Sequence, residues 1–349
     1  MLSALCSLPL IQEENIMANR LPRVGITMGD AAGIGPEITL KSLTEPDLYN
    51  VCNPVILGDA RVIEAAAVTI GTPFEIRSIG TGEMPEARPG LVNVIDYKNV
   101  DPSTYEMGIV KASNGDAAVH YTKEAGRMCL DGRLQAMTSA PLNKESMREA
   151  GHHYEGQTQI LAELCEAKRH GMAIILDTLR VMILTTHMSL SDAIANIKKK
   201  RVVDMLELAW ELLHFIGIPD PVIAVAGVNP HAGEGGLFGR EEIDEITPAI
   251  DACRINGINV VGPLPPDTVF HRAHQGEFSM VLAMFHDQGL MAVKLVGFGH
   301  AVTLLAGIPL IRTSTGHGTA FDIAGKNIAD HTNLYKAIRV AGQLGAKKL

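Results

Sequence analysis

The sequence predicts an α/β protein with a largely buried, mostly parallel sheet. The first observation is a repeated alternation of apolar, β-rich runs with segments long enough for helices, which is typical of strands covered by helices on both faces. The second is the composition, 46% hydrophobic, 20% charged and 4% aromatic, which indicates a folded globular chain. The third is the length of 349 residues, which favours two domains or one large α/β unit with a divided core.

The predicted elements follow from these runs. A helix is predicted at 36–42, because Pro36 suits a first helical position and Glu37 suits the positive end of the helix dipole. A second helical region is predicted across 191–215. Residues 71–108 are rich in glycine, proline and polar side chains, so loops and edge strands outside the core are predicted there. Strands are predicted at seven runs, 24–28, 54–57, 134–138, 181–185, 222–226, 259–261 and 280–284.

The charge pattern argues against nucleic acid or an anionic membrane as the main partner. The formal net charge is -9, and the longest basic cluster is residues 198–201. No run reaches the roughly 18 consecutive apolar residues of a membrane span. The five cysteines are widely spaced and contain no CxxC pair, so neither a disulfide framework nor a thiolate zinc site is predicted. We therefore expect a reducing compartment and a cytoplasmic protein.

The N-terminus begins with a short apolar run, 2–11, which no basic residue precedes and two glutamates follow. This pattern differs from that of a secretory signal. Residues 1–20 are predicted to be a disordered extension. Met17 offers an alternative start, in which case residues 1–16 would not be translated.

Polar side chains follow the predicted strands at the points where the strands end, which is where open α/β sheets bind ligands. Three of these ends carry a histidine: His187, His231 and His286, separated by 44 and 55 residues. Imidazoles suit a divalent transition metal with an open coordination position. Two interpretations stay open, a three-histidine metal site and histidines that hydrogen-bond within loops. The full set of strand ends is Gly29-Asp30, Ser139-Ala140-Pro141, Thr186-His187, Asn229-Pro230-His231 and His286-Asp287-Gln288.

The glycine-rich loops lack the common nucleotide-binding patterns. The turn 29–37 is not in GxGxxG order, so a tight turn between strand and helix is favoured, and the loop 229–239 lacks the ending of a P-loop. A third stretch, 312–327, is dense in small, polar and glycine residues that allow close approach of a ligand. Lys294 and Arg312 flank it and could bind a phosphate or carboxylate, or else be surface cations.

Taken together, the motifs resemble the 4-hydroxythreonine-4-phosphate dehydrogenase family, including its relatives that act on 4-phospho-threonate and 4-phospho-erythronate. The resemblance implies a two-domain fold related to isocitrate and isopropylmalate dehydrogenases, with largely parallel sheets and an interdomain cleft. It implies a cofactor-side domain at 21–138 plus 305–349, and a metal, substrate and dimerisation domain at 139–304. It also implies a homodimer whose active site is completed across the dimer interface. The motifs are GDAAGIGPE, TTHMSLSD, NPHAGEGGLFGREE, GPLPPDT, FHDQG and IRTSTGHGTAFDIAGK.

The resemblance implies roles for individual residues. The family's three metal-binding histidines match His187, His231 and His286. The stretch HGTAFDIAGKN is similar to the nucleotide-binding loop of isopropylmalate dehydrogenases, which implies contacts between NAD and His317, Gly318, Thr319 and Ala320. The family's substrate contacts carry over to Gln157, Thr158, Lys294, Thr303 and Arg312.

Two of these positions depart from the family's usual pattern. Gln157 stands where the family usually has a histidine, and Thr303 stands where an asparagine is usual. Both replacements keep hydrogen-bonding capacity, but the glutamine cannot become charged. The identity of the substrate is therefore less well defined by the sequence than the type of reaction.

The implied activity is oxidation of the hydroxyl group of a 4-phosphorylated hydroxy acid by NAD, or alternatively NADP, followed by decarboxylation of the β-keto acid. A divalent zinc, magnesium or cobalt ion would lower the pKa of the substrate hydroxyl and polarise the new carbonyl. Asp287 follows a predicted metal ligand and is expected either to orient an imidazole or to cap a loop. Both cofactor biosynthesis and sugar-acid catabolism stay open as the metabolic role.

Three alternatives to this activity also stay open. One is a dehydrogenase of a non-phosphorylated diol acid, such as a carboxylated dihydrodiol. Another is a three-histidine zinc hydrolase, in which Glu234, three residues after His231, would serve as the general base. The third is a non-catalytic module that binds a metal or a sugar phosphate without turnover.

Overall fold

The computed structural model describes residues 21–83 and 88–349, so the predicted N-terminal extension lies outside the described residues. The chain divides into two compact units. The terminal unit comprises the described residues up to Ala167 together with Ile308–Leu349, and the central unit comprises Lys168–Gly307.

The described residues form twelve strands, β1 Arg23–Thr27, β2 Asn53–Gly58, β3 Glu75–Ile79, β4 Leu91–Asp96, β5 Ala136–Ser139, β6 Gly171–Ile175, β7 Arg180–Ile183, β8 Ile223–Ala226, β9 Val260–Leu264, β10 Met280–Ala283, β11 Val302–Ala306 and β12 Arg312–Ser314. In this part of the chain there are eleven α-helices, α1 Gly35–Ser42, α2 Ala60–Ile70, α3 Ala112–Leu130, α4 Lys144–Glu149, α5 Gln157–Leu164, α6 Leu190–Ala195, α7 Lys199–Ile216, α8 Thr247–Ile255, α9 Pro266–His274, α10 His286–Gly297 and α11 Thr332–Gly345. All seven strands and the helix at 36–42 that the sequence predicts are confirmed.

In the terminal unit the strands lie in the order β3-β4-β2-β1-β5-β12, and every neighbouring pair is parallel. The strand β3 is the outermost, which agrees with the edge strand predicted within 71–108. Helix α3 packs closely on the segment after β5, because a Cβ atom on Gly115 would lie 2.2 Å from the backbone of Ser146. This packing joins residues 139–167 to the terminal unit, whereas the boundary drawn from the sequence lies after residue 138.

In the central unit the strands lie in the order β11-β6-β7-β10-β8-β9. The pairs β7–β10, β10–β8 and β8–β9 are parallel, and β6 is antiparallel to both β7 and β11. Apolar side chains on these strands, such as Val181, Val281 and Ala224, are fully buried and form the core of this unit. The sheets are thus largely parallel, as predicted.

The single helical region predicted across 191–215 is two helices, α6 and α7. Ser189 starts α6 by accepting a hydrogen bond from the backbone N–H of Asp192, which satisfies one of the free donors of a helix start. The helix stops at Asn196, whose side-chain amide donates to the carbonyl of Asp192 at 2.8 Å. Lys198 is extended and α7 begins after it. The apolar periodicity continues across this break, so the periodicity alone did not predict it.

Among the described residues, no helix is long and apolar enough to cross a membrane. The cysteines in the described part of the chain, Cys52, Cys129, Cys165 and Cys253, are all free thiols, in agreement with the absence of a predicted disulfide framework.

Candidate functional site

The three predicted metal ligands follow neighbouring strands of the central unit. His187 follows β7, His231 follows β8, and His286 follows β10 as the first residue of α10. Because β7, β10 and β8 are parallel neighbours, their carboxyl ends lie at one edge of this unit's sheet. The topology therefore delivers all three imidazoles to the edge at which α/β sheets bind ligands.

Two of the three rings lie close together. The ring centroids of His187 and His286 are 5.8 Å apart, and two imidazoles that share a zinc ion at about 2.0 Å have centroids about 5–6 Å apart. The ring of His231 lies instead beside Phe238, at 6.3 Å between centroids. Within 21–83 and 88–349, no group of three or more His, Cys, Asp or Glu residues could hold a metal ion as placed. The three-histidine set stays a prediction.

The backbone at these histidines is unusual. His187 and His231 have φ angles of +50° and +52°, and Ala232 and Glu234 in the same loop are also left-handed. Residues other than glycine seldom adopt this conformation, which costs on the order of 1–3 kcal/mol each and is concentrated at functional sites. The loop after β8 therefore turns at His231 itself as well as at its glycines.

Carboxylates lie beside two of the imidazoles. Asp287 Oδ1 is 2.7 Å from His286 Nδ1, so the other ring nitrogen of His286 is left for a ligand. This contact is the one expected if Asp287 orients an imidazole. Glu234 Oε2 is 4.0 Å from His231 Nδ1, and both side chains are exposed. Neutral imidazoles oriented by carboxylates are donors that suit a divalent transition metal, so the chemistry of this set fits the metal that the resemblance implies.

The loop that carries His231 is fixed by a buried carboxylate that sequence reasoning missed. Glu242 is only 2% exposed, and its Oε1 accepts hydrogen bonds from the backbone N–H groups of Val228 and Asn229, both at 2.8 Å. Its Oε2 accepts from the side-chain amide of Asn229 at 2.8 Å. Glu242 is the last residue of the NPHAGEGGLFGREE motif. Only the fold shows that its carboxylate bonds to the backbone just after β8.

In the terminal unit the central feature is the buried guanidinium of Arg312. The residue is 5% exposed; its Nε donates to Ser139 Oγ at 3.1 Å, and its Nη2 donates to Gln157 Oε1 at 3.2 Å. Gln157 is itself held by a 2.8 Å bond from its Nε2 to the carbonyl oxygen of Ala140. The structure therefore brings together two of the predicted substrate contacts, and it adds Ser139, which sequence reasoning placed only among the strand ends.

Among the described residues, Arg312 has no anionic partner. No carboxylate in the described part of the chain lies within salt-bridge distance of it, and burial alone lowers its pKa to about 10. The guanidinium is therefore still charged at neutral pH. A buried cation whose only partners are neutral is unfavourable unless an anion binds it. The N-terminus of α5, at Gln157 and the half-buried Thr158, presents the positive end of a helix dipole beside it.

The remaining predicted substrate contacts, Lys294 and Thr303, lie in the central unit. Lys294 is exposed near the end of α10, and Thr303 is buried in β11. Among the residues that the structure describes, neither side chain hydrogen-bonds to another predicted site residue. Their roles stay predictions.

The predicted cofactor loop packs on the glycine turn after β1. The backbone N–H of Ile34 donates to the carbonyl of Thr319 at 3.0 Å, and a Cβ atom on Gly33 would lie 2.9 Å from Thr319 Cβ. His317 and Gly318 are exposed, and Ala320 has a φ angle of +42°. The turn 29–37 thus supports the loop that the resemblance implies for NAD, beyond its role as a tight turn.

If the loop at 317–320 binds NAD, as the resemblance implies, Gly33→Ala is expected to displace Thr319 and to raise the KM for NAD severalfold, while the KM for the hydroxy acid changes little. Gly82→Ala is the control, since a Cβ atom there would meet nothing within 4 Å. Steady-state kinetics with each substrate varied in turn measures both constants. An unchanged KM for NAD in Gly33→Ala would remove the 317–320 loop from the cofactor site.

Comparison with known proteins agrees with the family that the sequence motifs resemble. The family model described as "Pyridoxal phosphate biosynthetic protein PdxA" matches residues 50–341. The chain is 43% identical over 333 residues to a D-threonate 4-phosphate dehydrogenase of Cupriavidus necator, covering 95% of this chain and 100% of that one. It is 42% identical to the crystal structure of a 4-hydroxythreonine-4-phosphate dehydrogenase from Klebsiella pneumoniae, with a TM-score of 0.87, covering 93% of this chain and 98% of that one.

A more distant structure is that of a terephthalate 1,2-cis-dihydrodiol dehydrogenase from Burkholderia xenovorans, 30% identical with a TM-score of 0.65, covering 93% of this chain and 98% of that one. All three proteins are named dehydrogenases. The coarse assignment of this chain is therefore an oxidoreductase, which leaves the hydrolase and the non-catalytic module without support. Because the family model matches most of the chain and these relatives are similar over nearly all of it, the chain belongs to the PdxA family.

Proposed function

We propose that the chain is a metal-dependent, NAD-linked dehydrogenase that oxidises a 4-phosphorylated hydroxy acid and decarboxylates the β-keto acid that results. The observation that carries the proposal is the buried Arg312, which has no anionic partner among the described residues. Phosphate and carboxylate are the anions whose oxygens match the planar N–H donors of a guanidinium, and the relatives named for 4-phosphorylated substrates favour phosphate.

The substrate proposed first is 4-phospho-D-threonate. The relative named D-threonate 4-phosphate dehydrogenase is 43% identical over the whole of its own length. This substrate and 4-hydroxythreonine 4-phosphate differ at the second carbon, which carries a hydroxyl group in the first and an ammonium group in the second. The 4-hydroxythreonine and erythronate phosphates stay as alternatives within the same reaction.

The residues of the chain have distinct proposed tasks. Arg312 and the N-terminus of α5 bind the phosphate, while Ser139 and Gln157 hold the guanidinium in place. Thr158, Lys294 and Thr303 are proposed as further substrate contacts. Asp287 holds His286 through its Nδ1, so that the opposite ring nitrogen is presented for coordination.

Two cofactors complete the proposal. A divalent ion held by His187, His231 and His286 would supply a Lewis acid that makes a substrate hydroxyl more acidic. NAD, bound by the loop at 317–320, would supply the hydride acceptor. The choice among zinc, magnesium and cobalt, and between NAD and NADP, is left to experiment.

The experiment is a spectrophotometric screen of NAD and NADP reduction by metal-loaded protein. The substrates are 4-phospho-D-threonate, 4-hydroxythreonine 4-phosphate and 4-phospho-D-erythronate, each with its dephosphorylated counterpart. Trapping of released carbon dioxide follows the decarboxylation separately. No reduction with any phosphorylated acid, at any of the three metals, would refute the proposed function.

A second candidate is a dehydrogenase of a carboxylated cis-dihydrodiol. The observation that favours it is the 30% identical structure named for that activity, which covers nearly the whole chain. In this case Arg312 would bind a carboxylate. Adding a carboxylated cis-dihydrodiol to the same screen distinguishes the two, because this substrate would be oxidised although it carries no phosphate group.

Two features of the cellular setting belong to the proposal as well. We expect a cytoplasmic protein from the cysteine pattern and a homodimer from the resemblance. Sedimentation at several concentrations would measure the oligomeric state. A neighbouring sugar-acid kinase gene would favour catabolism, because a kinase is the class of enzyme that must supply a 4-phosphorylated sugar acid.

A further inference from the structure

Backbone pairing in the central unit stops just before the histidines. The register of β7, β10 and β8 runs to Ile183, Ala283 and Val225, and the last ladder bond joins the N–H of Leu184 to the carbonyl of Ala283 at 2.9 Å. Beyond this point no backbone bond joins β7, β10 and β8 to one another among the described residues, although the N–H of Gly227 still donates to the carbonyl of Leu264 at the end of β9 at 2.8 Å. The other buried backbone groups there need partners, and side chains supply several of them.

Thr185 joins the end of β7 to the end of β10. Thr185 is only 1% exposed, and its Oγ1 donates a hydrogen bond to the carbonyl of Met284 at 2.8 Å. Thr185 is two residues before His187, and Met284 is two residues before His286. One hydrogen bond therefore spans the two strand ends whose imidazoles lie 5.8 Å apart.

Gln288 joins the end of β10 to the end of β8. The residue is 8% exposed; its Oε1 accepts from the N–H of Met284 at 2.7 Å, and its Nε2 donates to the carbonyl of Gly227 at 2.8 Å. Gln288 is two residues after His286, and Gly227 is four residues before His231. The oxygen and the nitrogen of its side-chain amide thus each form a hydrogen bond, one to each of the two strand ends that precede these histidines.

We propose that Thr185 and Gln288 are positioning residues of the metal centre, which set the separation of the strand ends that carry His187, His231 and His286. The inference rests on the proposed metal-binding function. Met284 bonds to both side chains, since its carbonyl accepts a hydrogen bond from Thr185 and its N–H donates one to Gln288. The two side chains form one continuous connection across β7, β10 and β8.

The connection matters for ligand geometry because a coordination site must be held within about 0.5 Å by its supporting residues. His187 and His231 are held in left-handed backbone conformations, which persist only where the surroundings fix them. A purely structural role would also satisfy the buried backbone groups, so the test must separate metal binding from stability.

The test measures binding of Co²⁺ alone to the metal-stripped, full-length protein, by the visible absorption of the bound ion and by competition with a chelator. Thr185→Val removes the hydroxyl at nearly constant volume, Thr185→Ser restores it, and Gln288→Met removes both amide bonds. Thr122→Val is the matched control, because Thr122 is equally buried and donates to the carbonyl of Ala118 at 2.9 Å in the terminal unit. Thermal midpoints are recorded for every variant.

We expect Thr185→Val and Gln288→Met each to weaken Co²⁺ binding about tenfold or more and to change the absorption band, which is the size of effect found for residues that orient metal ligands. Thr185→Ser should bind Co²⁺ nearly as the unmodified protein does. Thr122→Val should lose thermal stability but keep the affinity and the spectrum.

The inference is overturned if Thr185→Val and Gln288→Met bind Co²⁺ as Thr122→Val does. It is equally overturned if neither variant folds while Thr122→Val does, because the two side chains would then be needed for folding itself. If only one of the two variants folds, the Co²⁺ binding of that variant decides whether the inference stands. His286→Ala separates this failure from a failure of the proposed function. When His286→Ala loses Co²⁺ and neither Thr185→Val nor Gln288→Met does, only the positioning role is wrong, whereas an unmodified protein that binds no Co²⁺ refutes both.

Discussion

Replacing Arg312 with alanine is expected to lower kcat/KM for a 4-phosphorylated hydroxy acid by about 10- to 150-fold, which corresponds to about 1.5–3 kcal/mol for one lost charge-assisted contact. The reason is that Arg312 is buried and that its hydrogen-bond partners in the described part of the chain, Ser139 and Gln157, are both neutral. The ligand would therefore supply its only anionic partner. The loss should appear mainly in KM, since the phosphate is remote from the reacting carbon.

Two further variants sharpen this prediction. Arg312→Lys keeps the charge, but an ammonium group lacks the planar fork of donors that bonds to two partners and a ligand at once. An intermediate loss of kcat/KM is therefore expected. Arg180→Ala is the control for loss of a buried guanidinium, because Arg180 is 7% exposed and lies at the amino end of β7, away from the strand ends that carry the histidines. A KM in Arg312→Ala equal to that of the unmodified enzyme would remove Arg312 from the substrate site.

Replacing His286 with alanine is expected to have the largest effect, a loss of nearly all turnover together with loss of stoichiometric metal. His286 is the histidine that the structure places next to a second predicted ligand and holds through a carboxylate. Removal of one of three ligands leaves a site that cannot retain the ion at ordinary concentrations. Metal content after dialysis and the initial rate of NAD reduction measure the two losses.

Graded variants make the interpretation specific. Asp287→Asn is expected to weaken metal binding about 10- to 100-fold, as changes in ligand-orienting carboxylates do. His231→Ala tests the ligand that lies beside Phe238 rather than beside the other two rings. His214→Ala is the control, because this exposed histidine contacts its own helix, at the carbonyl and the ring of Trp210. Full metal content in both His231→Ala and His286→Ala would contradict the three-histidine centre.

The fold was largely predictable because its strands are buried apolar runs bounded by helix-length segments. The strand ends were predictable for the same reason, since a parallel sheet brings its carboxyl ends to one edge. The break between α6 and α7 was not, because local caps at Ser189 and Asn196 interrupt a periodicity that continues past them. The antiparallel β6 also gave no signal of its own, because a buried apolar strand reads the same in either direction.

The candidate site was predictable in its residue types but not in its contacts. Arg312 could be named as a possible anion contact, yet its partners lie 173 and 155 residues away along the chain. The absence of a carboxylate beside it is a property of the folded unit. Glu242, Thr185 and Gln288 were missed as supports for the histidines, since each acts on backbone atoms that no sequence pattern identifies.

The most direct measurement of the central claim is the ratio of kcat/KM for 4-phospho-D-threonate and for D-threonate, determined with one metal-loaded preparation and saturating NAD. If Arg312 and the start of α5 bind a phosphate, the phosphorylated acid should be preferred by about 100-fold or more, from at least one strong charge-assisted contact. Equal values, or a preference for the unphosphorylated acid, would contradict the proposal that this enzyme recognises its substrate through a terminal phosphate.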